Sequence, residues 1–360
     1  MSASPQATRR RATITDVARE AGTGKTSISR YLNGEMSVLS AELRARIEAA
    51  IERLDYQPNQ MARGLKRGRN RLIGMLLADL TNPYTVEVLQ GVEAACHALG
   101  LMPLICHAAN EVEMERRYLQ LLTTYRVEGV IVNALGVREE TLRPVGGGGI
   151  PVVLVDRSVE GLVTDMVGLD NRAAAGLATR HLLKQGFDDI WFVVQPFEQV
   201  SSRHLREAAF RDVMREEAGA RGQTLVLDLA DATAVERGLA ELDRAIEAAA
   251  AVTVADAFAP ATARRARRIA LFAANAPVAL CLALHLKSRY GADWQARVAL
   301  LSIDDPEWAE LTGITTIRQP TYEIGYRAVE FLHERIEGAE TTARDCLLPG
   351  ELIVRASTSW

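Results

Sequence analysis

Two textures divide the chain near residue 72. Before it, apolar residues recur three and four apart, the spacing that gathers them on one face of a helix. The stretch "DVAREA" carries Val17, Ala18 and Ala21 in that rhythm, with Thr15 placed to cap it and Gly22 to end it. After the glycine turn "GTG" comes "KTSISRYLNG", with Ile28, Tyr31 and Leu32 on one face and Gly34 as the stop. Ser40 then caps "AELRARIEAAIERL", whose Leu43, Ile47, Ala50, Ile51 and Leu54 follow the helical period. Two short helices across a glycine turn, with a third amphipathic helix to close their core, predict an all-α helix-turn-helix head over 1–57. Pro58 breaks the chain. The segment that follows it, "NQMARGLKRGRNR", has too few apolar residues to fold alone, so 58–71 is predicted to be a linker.

From residue 72 apolar runs alternate with amphipathic segments. "LIGMLLA", "MPLIC", "GVIVNAL", "VVLVD", "DIWFVV", "IALFAA" and "VALLSID" are predicted strands. "PYTVEVLQGVEAACHALG" and "EVEMERRYLQLLTTY" are predicted helices. Near-continuous apolar strands separated by helices imply parallel sheets covered on both faces, an α/β body over 72–360. "VGGGGIP" is predicted to be a flexible surface loop. Residues 248–268 are Ala/Arg-rich without a clear period, and are predicted to be an inserted loop or frayed helix. The chain has no internal repeat and no heptad seam after residue 338.

Composition is that of a soluble globular protein, 48% hydrophobic and 24% charged. No apolar run approaches the roughly 20 residues needed to span a membrane. The first residues are polar and basic with no apolar h-region, which argues against a secretory signal. Cys96, Cys106, Cys281 and Cys346 are scattered, as expected of reduced thiols in a cytoplasmic protein, with neither a disulfide framework nor a zinc site. Charge changes the picture more. Residues 1–71 hold 14 Lys and Arg against 7 Asp and Glu, a net of +7, which leaves 28 against 39 beyond them, a net of −11. A basic head on an acidic body points to a polyanionic partner for the head.

The turn itself contains "GTGKTS", which mimics a nucleotide-binding phosphate loop. That loop needs a glycine five residues before Gly24 and a strand leading into it. The residue there is Arg19, and the segment before the turn has helical spacing. The nucleotide reading fails on both counts. No metal-ligand cluster, G-x-S-x-G or dinucleotide fingerprint supports an enzyme, and the six histidines are dispersed.

The segments "TITDVAREAGTGKTSISRYLNG" and "ARIEAAIERLDYQPNQMARGLKRGRNRLIGMLLADLTNPY" resemble the LacI/GalR family of bacterial transcription regulators. So do "IPVVLVDR", "VGLDNRAAAGLATRHLLKQGF", "VALLSIDD", "GITTIRQPTYEIGYRAVEFL" and "LLPGELIVRAS". The resemblance spans all but the first dozen residues and 248–268. It implies a DNA-binding repressor with no cofactor. Its head would read operator DNA with Lys25, Thr26, Ser29 and Arg30 near the start of the second helix, and with Thr15. Residues 59–68 would form a hinge helix in the minor groove, where Leu65 wedges between base pairs beside Ala62 and Asn59. Two departures stand out: Thr23 and Gly24 replace a common Val-Ser, and Ala276 replaces a common Asp.

For the body the resemblance implies a periplasmic-binding-protein-like fold of two doubly wound lobes, with an effector at the C-terminal strand ends. The candidate residues are Tyr84, Thr85, Asp156, Arg206, Asn275 and Asp304, with Arg203 nearby. Carboxylates and an amide suit sugar hydroxyls, and an arginine fork suits a carboxylate. Within the family the likeness is to members that respond to 2-ketogluconate, which implies a sugar-acid effector. A homodimer is expected, since no leucine heptad follows "VRASTSW". The expected action is release from a palindromic operator; the alternative within the class is a ligand that acts as co-repressor, or another sugar or sugar phosphate as effector. A sugar-transport binding protein is the alternative from another class, opposed by the basic head.

Overall fold

The structure is a computed structural model, describing residues 11–58, 69–133, 139–146, 149–159, 161–197, 200–256 and 268–359. Two units divide the chain, Met1–Asn70 and Arg71–Trp360.

The first unit holds α1 (Ile14–Glu20), α2 (Lys25–Leu32) and α3 (Ala41–Arg53) around a core of Val17, Ala18, Ile28, Ile47 and Ala50. Thr13, rather than the expected Thr15, caps α1. Its hydroxyl accepts from the Asp16 N–H, and the Asp16 carboxylate accepts from the Thr13 N–H at 2.9 Å. That reciprocal box needs an acid three residues after the cap. Three residues after Thr15 stands Ala18, so Thr15 falls inside the first turn, exposed. Gly24 begins α2 without a side-chain cap. At the other side of the turn Arg46 of α3 donates to the Ala21 carbonyl at 2.6 Å and the Gly22 carbonyl at 2.9 Å. These bonds satisfy carbonyls that the end of α1 leaves open.

The second unit is built on two six-stranded sheets. The first contains β1 (Leu72–Leu77), β2 (Met102–His107), β3 (Gly129–Asn133), β4 (Val152–Val155), β5 (Asp165–Leu169) and β11 (Asp345–Leu348), in the order β11-β5-β4-β3-β1-β2. The second contains β6 (Asp189–Val194), β7 (Arg221–Val226), β8 (Ile269–Ala273), β9 (Ala299–Ile303), β10 (Thr315–Arg318) and β12 (Glu351–Ile353), in the order β12-β10-β9-β8-β6-β7. The orders are equivalent, and only the β10–β12 pairing is antiparallel. The central strands are buried on both faces, as their unbroken apolar runs require.

Helices cover both sheets. On the first lie α4 (Pro83–Leu99), α5 (Val112–Thr124), α6 (Glu139–Gly146) and, from late in the chain, α12 (Thr321–Ile336). On the second lie α7 (Asn171–Lys184), α8 (Ser201–Glu216), α9 (Ala232–Asp256) and α10 (Ala276–Tyr290), with short α11 (Glu307–Thr312) after β9. The chain crosses between lobes after β5, after β10 and between β11 and β12. Phe192, Phe210 and Phe272 interlock in the second core at centroid distances of 5.1 to 6.4 Å.

Several expectations need correction. Of the two expectations for 248–268, residues 248–256 take the helical one: they continue α9, and Ala249 packs with Trp191 and Val193 in the cluster on the face of the second sheet away from Phe192. The four alanines at 248–251 satisfy helix propensity without a sharp apolar period; residues 257–267 lie outside the described residues. The first glycine of "VGGGGIP" ends α6 rather than starting a loop. Strands β5, β7, β10, β11 and β12 had no prediction. No helix among the described residues is long and apolar enough to cross a membrane.

Candidate functional site

In the head, Lys25, Thr26 and Arg30 lie exposed on α2, and Ser29 is half-buried beside them. Ile28 points the opposite way, into the core. One helix face is thus fixed by packing and the other is left polar and basic at its N-terminal end. Arg30 sits 4.0 Å from Glu35. Asn59, Ala62 and Leu65 lie outside the described residues.

In the second unit the C-terminal strand ends converge on a cleft of about 720 Å³. Asn133 closes β3, Asp156 follows β4, Gln195 follows β6, Asn275 follows β8, Asp304 follows β9 and Gln319 follows β10. Tyr84 and Thr85 enter from the first turn of α4, and Arg203 and Arg206 from α8. All seven residues expected from the sequence therefore line one cavity. Its geometry also brings in Arg157, Gln195, Trp308 and Gln319, which carried no expectation.

Asp156 and Asp304 occupy matching corners. Each follows the fourth strand of its lobe, and each amide donates 3.0 Å to the next strand, to Val167 O and Ile317 O respectively. Each has a left-handed backbone, φ 67° and 78°. Such conformations cost on the order of 1–3 kcal/mol outside glycine, though Asp tolerates them better than most residues. The turn aims both carboxylates into the cleft.

Their surroundings differ. Asp304 is buried. It accepts from the Ala276 N–H at 2.9 Å and from Gln319 Nε2 at 2.5 Å. Burial pushes its carboxyl up, against Arg206 and those two hydrogen bonds. The bond to Ala276 also settles the departure at that position. Asp304 and Asn275, whose Oδ1 accepts from Val278 N–H at 3.1 Å, together cap α10 without an acid at 276.

Arg206 is buried too. Its Nε donates to Asn171 Oδ1 at 2.7 Å and its Nη1 to the Ala274 carbonyl at 2.6 Å. Its Nη2 stands 3.8 Å from Asp156 Oδ1, beyond hydrogen-bond length. Arg203 donates to the Pro196 carbonyl and to Gln195 Oε1.

Tyr84 Oη, Asp156 Oδ1 and Gln319 Oε1 line this cleft, buried and with no hydrogen-bond partner among the described residues. Burial raises the Tyr84 phenol well above its usual range, so it stays protonated and able to donate. Buried polar groups are ordinarily paired. Unpaired acceptors beside a protonated phenol can take hydroxyl groups of a bound molecule. A hydroxyl lying to one side of this 3.8 Å pair could bridge it, accepting from Arg206 Nη2 and donating to Asp156 Oδ1.

Among the described residues no group of three or more His, Cys, Asp or Glu side chains could hold a metal ion.

Comparisons with known proteins agree with this layout. Residues 13–59 match the family "Bacterial regulatory proteins, lacI family". Residues 70–236 match "Periplasmic binding proteins and sugar binding domain of LacI family", and 179–358 match "Periplasmic binding protein-like domain". The chain is 41% identical over 360 residues to the HTH-type transcriptional regulator PtxS of Pseudomonas aeruginosa, covering 99% of each. It is 31% identical to the HTH-type transcriptional regulator KdgR of Bacillus subtilis, over 96% of this chain and 97% of that one. These relatives are regulators, not enzymes. The fold is like that of the lac repressor dimer bound to operator and the anti-inducer ONPF, with a TM-score of 0.77 at 22% identity over 97% of this chain and 99% of that one. With its head and both lobes matched in order, the chain belongs to the lacI family of bacterial regulatory proteins.

Proposed function

We propose that this regulator is a homodimeric repressor released from a near-palindromic operator by a sugar acid, 2-ketogluconate. The head, residues 1–57, reads base edges through Lys25, Thr26, Ser29 and Arg30, with Thr15 beside them. Residues 58–71 act as the hinge, with Asn59, Ala62 and Leu65 in the minor groove. The body, 72–360, binds the effector and dimerises. Two heads on a dimer read two half-sites.

The observation that carries the effector reading is the cleft itself. Its orphaned acceptors suit sugar hydroxyls, and Arg157, Arg203 and Arg206 line the same cavity. Guanidinium forks match a carboxylate. The likeness to 2-ketogluconate-responsive repressors supports a sugar acid over a neutral sugar. Tyr84, Thr85, Asp156, Asn275 and Asp304 supply the remaining contacts. Effector closes the lobes and so favours the state whose hinges no longer fit the operator. The loss of operator affinity can be no larger than the ligand's differential affinity for the two states.

Calorimetry with 2-ketogluconate, gluconate, glucose and ribose tests this, followed by operator release with any ligand that binds. Selective, saturable binding of 2-ketogluconate and release of operator are the expected results. Heat with none of the four removes the sugar-acid assignment.

A further inference from the structure

Asp305, next to the cleft residue Asp304, does not line the cavity, yet its carboxylate is more completely held. Oδ1 accepts from Thr316 Oγ1 and from Arg355 Nη1, both at 2.7 Å. Oδ2 accepts from Arg318 Nε at 2.9 Å and Nη2 at 2.8 Å. Its side chain is 5% exposed. Burial pushes this carboxyl up, but Arg355, Thr316 and Arg318 outweigh it, and the group titrates below the usual range. The two adjacent acids thus move in opposite directions.

The two pairs are interleaved. Asp305 holds Arg318 on the outer side of β10, and Asp304 holds Gln319 on the cleft side. Arg355 comes from the C-terminal tail. All three of its side-chain bonds leave from one nitrogen, Nη1: to Asp305 Oδ1, to the Ile314 carbonyl at 2.9 Å and to Thr316 Oγ1 at 3.0 Å. The tail has separate anchors. Ser357 Oγ accepts from the Thr315 N–H and donates to the Leu300 carbonyl, and Thr358 Oγ1 meets Thr315 Oγ1 at 2.7 Å. It therefore stays docked without Arg355.

A left-handed residue persists only where its surroundings over-determine it. We propose that Arg355 and Arg318, acting through Asp305, are positioning residues for the cleft, holding Asp304 in its left-handed turn so that its carboxylate faces the effector and the Ala276 N–H. The effector half of this rests on the function proposed above; the Ala276 half does not.

The test uses the full chain with Arg355→Gln, Arg355→Lys and Ser357→Ala. Two quantities are read: hydrogen exchange at the Ala276 amide, and the Kd for 2-ketogluconate. In Arg355→Gln the Ala276 amide should exchange faster and the Kd should rise, each by about tenfold or more. Arg355→Lys should restore both to within about threefold, because one ammonium nitrogen can replace Nη1. Ser357→Ala should lower Tm and move neither. The proposal is overturned if Arg355→Gln leaves Ala276 protected, if lysine does no better than glutamine, or if Ser357→Ala produces the same loss. Should the wild type bind no 2-ketogluconate, the effector assignment falls, and Ala276 exchange alone decides the clamp.

Discussion

Gly91 of α4 lies against the backbone of Tyr322 in α12: a methyl group at Gly91 would come within 2.0 Å of the Tyr322 carbonyl oxygen. The contact is reciprocal, since a methyl at Gly325 would stand 2.0 Å from the Val88 carbonyl. The two helices cross backbone to backbone, and α12 reaches this place only after the chain has built most of the second lobe. Neither clash can be relieved by turning a side chain. Gly91→Ala and Gly325→Ala should each destabilise the body by about 1–3 kcal/mol or more, the range for overpacking. Thermal unfolding checks this, and an unchanged Tm would mean that the helices separate freely.

Asp165 ties the same lobe at another point. Its carboxylate is fully buried and accepts from Arg335 Nε and Nη2, both at 2.9 Å, and from Arg344 Nη2 at 3.0 Å. Arg344 also lies 3.6 Å over the Phe331 ring. Burial pushes the Asp165 carboxyl up, but the two arginines outweigh it and hold it well below the usual carboxylate range. A depressed folded pKa contributes stability that is complete above the unfolded value, near pH 4, and lost as pH falls below it. Asp165→Asn should cost on the order of 1–3 kcal/mol at neutral pH, because Arg335 and Arg344 lose their buried carboxylate and keep only the Ala339, Thr341 and Thr342 carbonyls and Glu334. It should also flatten the acid limb of a denaturant-based stability profile. An acid limb identical to wild type would place the pH dependence elsewhere.

What the sequence revealed and what it hid follow from where each strand sits. The strands β1, β3, β4, β6, β8 and β9 are central, covered on both faces, and so read as apolar runs. The unpredicted β7, "RGQTLV", has one neighbour and alternates between exposed and covered positions. Among the others, β11 and β12 are short edge strands, β10 is four residues long, and β5 contains Asp165 and Gly168. The site inherits the same bias. Asp156 and Asp304 were legible because the family resemblance falls on carboxylates that follow visible strands. Gln319 was not, because it follows β10, and an amide after an unrecognised strand carries no signal. Thr13 was legible in principle, from the Asp16 three residues later.

On the head, Lys25 is exposed at the first position of α2, with Thr26 beside it and Ile28 buried beneath. If that face enters the major groove, the lysine donates to guanine O6 or N7. Lys25→Ala should cost about 1–3 kcal/mol in operator binding and relax preference at one position of the half-site. Competition against a set of single-base operator variants measures it. Unchanged preference at every position would remove Lys25 from the base-reading set.

Asp304 gives the prediction in which stability and function part. Its folded carboxyl is raised, by burial first, so ionising it works against the fold. For an acid raised in this way, stability is greatest below the unfolded pKa near 4 and declines as pH climbs toward the folded value. Above that window the whole penalty is present. Asp304→Asn removes the charge and keeps the shape, and asparagine accepts a left-handed backbone as aspartate does. The new amide oxygen can still accept from the Ala276 N–H. Gln319, whose Oε1 has no partner among the described residues, can turn its amide to accept from the new Nδ2. Asp304→Asn should therefore raise Tm at neutral pH while weakening the effector response and leaving effector-free operator binding within about twofold, since the cleft does not read DNA. Paired measurements of Tm, operator affinity and effector-induced release check all three. A variant that is both less stable and normally responsive would show that Asp304 serves the fold and not the ligand.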